Sequence, residues 1–265
     1  MTFSMAAKNK PLIKVEKLRS YFGDQWVQKD ISLEIYPREI VAVIGFSGCG
    51  KTTLMRNLLM LQKPTSGHIH VFGRNIVNAN EKEAQAIQRR WGVMFQSGAL
   101  FSSMTALENI MFPFQGVPKI DESLQREVAF LKLTQVGLNF SSASKYPSEL
   151  SGGMKKRVAL ARAIVMDPEV VFLDEPTAGL DAKSASDMDN LVLELRDHLG
   201  ITVFMITHDL DTLWRVADRV IFLGEGKVLA DTSMAELVKE KHPLIRDYFS
   251  GARAYPREAA HGAQE

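Results

Sequence analysis

The first chemical signal lies in Gly45-Phe46-Ser47-Gly48-Cys49-Gly50-Lys51-Thr52-Thr53. This stretch follows the apolar run Ile40–Ile44, which reads as a buried strand, and precedes residues 54–61, which read as a helix. A G-x-x-x-x-G-K-[ST] spacing between a strand and a helix suits a phosphate cradle. Its glycines let backbone N–H groups close around a β-phosphate, and the helix N-terminus adds favourable partial charge. Lys51 then reaches the β- and γ-phosphates, and Thr52 offers a hydroxyl to Mg²⁺. A glycine-rich turn that binds nothing has the same composition, so the site needs a second half.

Val170-Val171-Phe172-Leu173-Asp174-Glu175 supplies it. Asp174, at the end of a second apolar run, can enter the Mg²⁺ shell, and Glu175 can act as general base toward an attacking water. A carboxylate in this place can also merely close a strand, a reading that weakens once Lys51 is considered beside it. Cys49, inside the loop, is either a thiol with a lowered pKa near a helix N-terminus or a small residue whose backbone N–H is what counts.

Positioning these groups falls to the surrounding elements. The apolar runs 40–44, 170–173, 203–206 and 220–223 do not alternate with polar residues, as expected of strands buried on both faces. Helical stretches at 81–90, 155–166 and 184–199 lie between them, so the fold class is α/β, a mostly parallel sheet with helices on both sides. Residues 97–147, interrupted by Pro113, Pro118 and Pro147, read as an inserted helical subdomain. Ser233, three before Glu236, forms a capping-box pattern for a last core helix, and from Gly251 onward no periodicity remains.

Composition narrows the partners. A chain of 265 residues suits one domain with one subdomain. Lys+Arg of 32 against Asp+Glu of 31 leaves a net charge of +1, no electrostatic basis for wrapping nucleic acid or coating an anionic bilayer unaided. A lone cysteine excludes a disulfide framework and a cysteine-rich zinc site, and suits a reducing compartment. No apolar run approaches the ~18 residues that span a bilayer, and residues 1–11 lack a signal-peptide stretch, so any membrane role is expected to be peripheral.

A third motif, Leu150-Ser151-Gly152-Gly153-Met154, precedes a basic helical run and can present a hydroxyl and backbone N–H groups as a second anion site. With the three motifs in this order the chain resembles, over nearly its whole length, the ATP-binding subunits of ABC transporters. The resemblance implies a P-loop NTPase (RecA-like) core with a mostly parallel sheet, an N-terminal antiparallel β segment and an inserted α-helical subdomain. In those terms residues 1–250 form one ABC ATPase domain, with 1–96 and 166–250 as catalytic core and about 97–165 as the helical subdomain, followed by a tail at 251–265. ATP and Mg²⁺ are the implied cofactors. Gly45, Phe46, Ser47, Gly48, Cys49, Gly50, Lys51, Thr52 and Thr53 then hold phosphate, and Phe22 stacks on adenine. Gln96 senses Mg²⁺ and water, and Thr52, Gln96 and Asp174 hold the metal. Lys51, Glu175 and His208 act in hydrolysis, His208 as the γ-phosphate switch. Ser151, Gly152 and Gly153 face the phosphate loop of a second copy, and Asp181, in Gly179-Leu180-Asp181, links the two sites.

One departure narrows the resemblance. Most members carry Gln after the two glycines, and this chain has Met154. Together with Gln96-Ser97-Gly98-Ala99-Leu100-Phe101, it is similar to the branch that energises phospholipid trafficking across bacterial envelopes, the Mla-type or MCE-associated transporters. That likeness implies a homodimer peripheral to the cytoplasmic face of the inner membrane. Its partners are an integral-membrane permease, an MCE-like substrate-binding subunit and a small cytosolic accessory protein, with no nucleic acid. The apolar segment 98–114 is either core or a groove for a permease helix, lined by Leu100, Phe101, Met104 and Leu107. Tyr248, Phe249 and Tyr255 are expected to anchor a loose C-terminal segment on a partner. Two competing readings are a soluble ABC-type ATPase acting on nucleic acid or ribosomes, and an ABC ATPase for a different substrate. Small-molecule P-loop kinases leave Ser151-Gly152-Gly153 unexplained.

Overall fold

The apolar runs become neighbouring strands of one sheet. A computed structural model describes residues 10–115, 117 and 120–251. It opens with β1 (Ile13–Phe22), β2 (Gln25–Ile35), β3 (Ile40–Ile44), α1 (Lys51–Leu58), β4 (Ser66–Val71) and β5 (Arg74–Asn75). Next come α2 (Glu81–Gln88), β6 (Trp91–Met94), α3 (Ala106–Met111), α4 (Glu122–Gln135) and α5 (Gly152–Ile164). The chain continues through β7 (Val170–Asp174), α6 (Ala182–Leu199), β8 (Thr202–Ile206), α7 (Leu210–Val216), β9 (Arg219–Gly224) and β10 (Lys227–Thr232), and closes with α8 (Met234–Leu237) and α9 (Pro243–Gly251).

The ten strands lie in the order β5-β4-β1-β2-β10-β9-β3-β8-β7-β6. Strands β9, β3, β8, β7 and β6 are parallel to one another, while β1, β2, β4 and β5 form an antiparallel arm. β10 joins the halves, antiparallel to β9 and touching β2 through the single pair Lys227–Asp30. That thin joint is reinforced by Arg219, whose guanidinium donates to Glu39 (2.7 Å), to Asp231 (2.7 and 2.8 Å) and to the Glu34 carbonyl (2.6 Å).

Side chains alternate along each parallel strand, so the two faces of the sheet bury different sets. Val41, Val43, Phe172, Phe204, Ile221 and Leu223 meet α1 and the antiparallel arm on one face. Val171, Leu173, Val203 and Met205 meet α3 to α6 on the other, and Ala42, Ile44, Val220 and Phe222 meet α7 to α9. None of the described helices is long and apolar enough to cross a membrane.

Three local expectations change. The Ser233 hydroxyl accepts the Glu236 N–H at 3.3 Å, but the Glu236 carboxylate takes the Thr232 hydroxyl rather than the Ser233 N–H, so the capping box is half formed. Helix α8 is followed by α9, which buries Ile245 and Phe249. Tyr248 packs edge-on against Phe222 and Phe249 at 5.4 Å from each, so these two aromatics belong to the chain's own core, because Ile245 and Phe249 form an i, i+4 apolar stripe. In the segment 98–114, Ala106, Leu107, Ile110 and Phe114 are likewise core. Pro118, Tyr255 and the tail beyond Gly251 lie outside the described residues.

Helix α5 lies directly on β6. A Cβ on Gly92 would sit 1.8 Å from the Ala163 carbonyl oxygen, a contact that only a shift of backbone relieves. Gly92→Ala is therefore expected to destabilise the fold by about 3 kcal/mol, read as a lowered urea midpoint; an unchanged midpoint would contradict this packing.

Candidate functional site

Among helices α1 to α8, α1 alone has no side-chain cap at its N-terminus. The N–H groups of Lys51, Thr52 and Thr53 precede the first intrahelical bond, from Leu54 N–H to the Gly50 carbonyl (2.9 Å), and meet no oxygen acceptor among the described residues. The loop before them is shaped by glycines in the left-handed half of backbone space, with φ of 145° at Gly45, 78° at Gly48 and 100° at Gly50. A Cβ on Gly45 would lie 2.2 Å from the Leu223 carbonyl oxygen, so the loop rests on the end of β9. Buried Gln28, held by the Ser20 hydroxyl (2.8 Å), donates to the Gly50 carbonyl at 3.3 Å. The Lys51 ammonium folds over the loop and donates to the Gly45 and Phe46 carbonyls at 2.7 and 3.0 Å. Open N–H groups, a free face at Gly48 and a mobile-stemmed ammonium together fit a polyphosphate.

The carboxylates stand at the end of β7. Burial pushes the Asp174 carboxyl above its ordinary range, and the Glu175 charge adds to this, while Lys156, Arg56 and Lys51 pull it back down. Glu175 adopts φ 49°, left-handed for a side-chain-bearing residue, and its N–H donates to the Ile206 carbonyl at 2.8 Å. This turn brings its Oε1 to 2.8 Å from His208 Nδ1. An ionised carboxylate only accepts, so Nδ1–H is the donor of this pair, and Nε2 is left for another partner. The His208 side chain is 72% exposed and therefore open to a ligand. Thr52 and Gln96 are also exposed, Thr52 in the first turn of α1 and Gln96 two residues past β6. Oxygen donors of this kind, a hydroxyl, an amide and a carboxylate, suit Mg²⁺.

Ser151 caps α5 by accepting the Met154 N–H at 3.2 Å, and a Cβ on Gly152 would meet open space. Asp181 caps α6 through the Ser184 N–H (2.9 Å) and hydroxyl (2.7 Å), bonds that hold its carboxyl below the usual range. Ser151, Gly153, Leu180 and Ser184 line one pocket, and no residue of the phosphate loop lines it. At the β1–β2 turn, Phe22 is exposed beside Tyr21 and Trp26, whose rings meet edge-on at 5.1 Å. Burial pushes the Cys49 thiol up, which supports the reading of Cys49 as a small residue contributing its backbone.

The expected groove is relined. Leu107 is core, Leu100 and Met104 are half-buried, and Phe101 lies in an open groove with Phe95, Phe112, Pro113, Arg162 and Met166. Two further groups, Lys156 and Arg162, escape a reading of the sequence, and Tyr248 takes a place other than the one expected. Buried Lys156 donates to the Gln96 and Glu175 carbonyls at 2.5 and 2.9 Å, Arg162 donates to those of Gly98 and Ala99, and Tyr248 lies edge-on to Phe46 at 5.5 Å, its phenol pushed up to about 12 by burial. In sequence the two cations belong to a basic run, which by itself reads as solvated helix surface.

Behind the site, Asp189 on α6 is 3% exposed; it accepts the Thr212 hydroxyl at 3.3 Å and leaves its other oxygen without a partner among the described residues. Burial raises its pKa to about 6, above the ~3.9 of an unfolded chain. Its contribution to stability is therefore complete below about pH 4 and is lost as pH rises through about 6, on the order of 2 to 3 kcal/mol. Asp189→Asn is expected to match the wild type near pH 4 and to unfold at higher temperature at pH 7.5; thermal curves with the same offset at both pH values would contradict this.

Comparison with known proteins agrees with this geometry. A family model described as "ABC transporter" matches residues 28–178. The chain is 33% identical over 257 residues to the intermembrane phospholipid transport system ATP-binding protein MlaF of Haemophilus influenzae, covering 97% of each. It is 39% identical over 224 residues to the methionine import ATP-binding protein MetN of Brucella abortus, covering 84% of this chain and 60% of that relative. Among solved structures, a dimeric post-hydrolysis ATP-binding cassette bound to ADP and Pi superposes with a TM-score of 0.76 at 30% identity, over 84% of this chain and 98% of that one. The fold is that of a P-loop NTPase, and the chain belongs to the ABC transporter family as an ATP-binding subunit that hydrolyses ATP with Mg²⁺.

Proposed function

We propose that two copies of this chain sandwich two ATP molecules and that their hydrolysis drives phospholipid transport between the membranes of a bacterial envelope, through a separate permease. For the chemistry, the observation that carries most weight is the uncapped start of α1 facing a loop that already holds an ammonium. The open N–H groups and Lys51 take the β- and γ-phosphates, and Phe22, with Tyr21 and Trp26 beside it, offers the adenine an aromatic surface. Thr52, Asp174 and Gln96 hold Mg²⁺, which when bound offsets charge on the polyphosphate. Glu175 accepts the proton of the attacking water. His208, oriented through its Nδ1–H bond to Glu175, keeps Nε2 for the γ-phosphate end of the site. Ser151, Gly152, Gly153 and Asp181 complete the site of the second copy, because their pocket contains nothing of their own phosphate loop.

Support for the lipid substrate comes from the likeness to the phospholipid transport relative along 97% of both chains, with Met154 and the 96–101 segment in place. A second reading, import of a small molecule such as methionine, draws support from the higher identity, 39%, to the methionine import relative. In either case the cassette sits peripherally on the cytoplasmic face of the inner membrane. The groove at Phe95, Phe101, Phe112 and Pro113 seats a permease helix, and residues of about 97–165 pass its movement to the sites.

Glu175→Gln is expected to keep Mg·ATP and the dimer while turnover falls by about 100-fold or more. Captured from native membranes in that state, it should bring down a multi-spanning permease, a single-span MCE-like subunit and phospholipid, identified by mass spectrometry. A permease without lipid would favour the small-molecule reading, and recovery of ribosomes or nucleic acid alone would overturn the transporter role. Separately, Phe101→Asp should lower permease stimulation of hydrolysis by about tenfold; full stimulation would remove the groove assignment.

A further inference from the structure

Helix α5 carries Lys155, Lys156, Arg157 and Arg162, and Lys156 is the one turned fully inward, at 7% exposure. Among the described residues no carboxylate lies within ion-pair distance of its ammonium, and the Glu175 and Asp174 charges act on it only from further off; its two hydrogen-bond partners are the main-chain carbonyls of Gln96 (2.5 Å) and Glu175 (2.9 Å). Burying an ammonium against neutral acceptors is costly, and an apolar side chain would fill the same space at less cost. What the arrangement achieves is positional. β6 and β7 pair in parallel up to Met94–Leu173, and Gln96 and Glu175 each stand two residues beyond that last pair. The ammonium thus supplies one more rung where the ladder between the two strands has stopped.

Six residues further along the same helix, Arg162 donates to the Gly98 and Ala99 carbonyls at 2.7 and 2.9 Å and lies over the Phe101 ring, 5.9 Å from its centroid. Helix α5 therefore grips the 96–99 loop at both ends, and only Lys156 also reaches the turn that carries Glu175. We propose that Lys156 is a positioning residue for hydrolysis: it locks the backbone of Gln96 to that of Glu175, so that both move with α5 as one body. A displacement of α5, whether at its Ser151 end or beneath the Phe101 groove, then changes where the Glu175 carboxylate points. This inference rests on Glu175 being the general base.

The test is steady-state hydrolysis of Mg·ATP by the purified full-length chain, compared among wild type, Lys156→Met, Lys156→Gln and Glu175→Gln, with thermal unfolding and equilibrium ATP binding measured on each. Lys156→Met, which fills the space without a donor, is expected to lose about 10- to 100-fold in kcat, the effect of misplacing a catalytic group by about 1 Å. Its KM and ATP affinity should stay within about threefold of wild type. Lys156→Gln, which keeps two N–H donors on a shorter, uncharged stem, should turn over at least about threefold faster than Lys156→Met. Wild-type kcat in Lys156→Met overturns the proposal, as does a loss that merely tracks lost nucleotide binding or lost folded protein. Equal rates for Met and Gln overturn it too, by assigning the effect to charge instead of the two hydrogen bonds. Should Glu175→Gln hydrolyse ATP at the wild-type rate, the base assignment and this inference fall together; an inactive Glu175→Gln beside a fully active Lys156→Met removes the inference alone.

Discussion

The backbone donors at the start of α1 have no oxygen acceptor among the described residues, and the surrounding architecture keeps them that way. A cap residue in place of Gly50 would quench them, and a loop with ordinary backbone angles would bury them. The loop that keeps them open has positive φ at Gly45, Gly48 and Gly50, and at Gly45 the close seat on the backbone of β9 leaves no room for a Cβ. β3, which leads into this loop, lies between β8 and β9. The antiparallel arm contributes Gln28 beneath Gly50. Both halves of the sheet thus converge on one short loop.

Charge is balanced at the same place with little to spare. Asp174 and Glu175 are consecutive and half-buried, and the Glu175 charge raises the cost of ionising Asp174. Lys156 from α5 and Arg56 and Lys51 from α1 pull Asp174 back toward its charged form. A doubly charged cation held by Asp174 and its neighbours would reverse that balance, which is why an acidic pair and a metal belong together here.

Much of this could be read from residue order. Unbroken apolar runs identified the parallel strands because strands covered on both faces need no polar alternation, and the glycine spacing before Lys51 has few uses other than phosphate. The division between core and surface in segment 98–114 was harder. Leu107 and Phe101 look alike in sequence, and only the packing of α3 against α4 and α5 turns one inward and leaves the other open. Tyr248 and Phe249 were misread for a related reason: the stripe that buries them is short and lies next to a segment without pattern. Lys156 gave no signal at all. A lysine in a basic helix is ordinarily solvated, and its inward turn depends on two carbonyls that come from strands 79 residues apart along the chain, at positions 96 and 175. The distance between Glu175 and His208 is likewise a product of the β7 and β8 pairing.

The seat of Gly45 on the Leu223 carbonyl also has a consequence for synthesis. At ribosomal rates of about 5 to 20 residues per second, the phosphate loop leaves the ribosome roughly 10 to 35 s before the strand it rests on. For most of that interval β3, five buried aliphatic residues, has neither β8 nor β9 beside it. The nascent chain therefore carries an unpaired apolar strand while it is still unable to hold nucleotide, and ATP can assist folding only after β9 has been made.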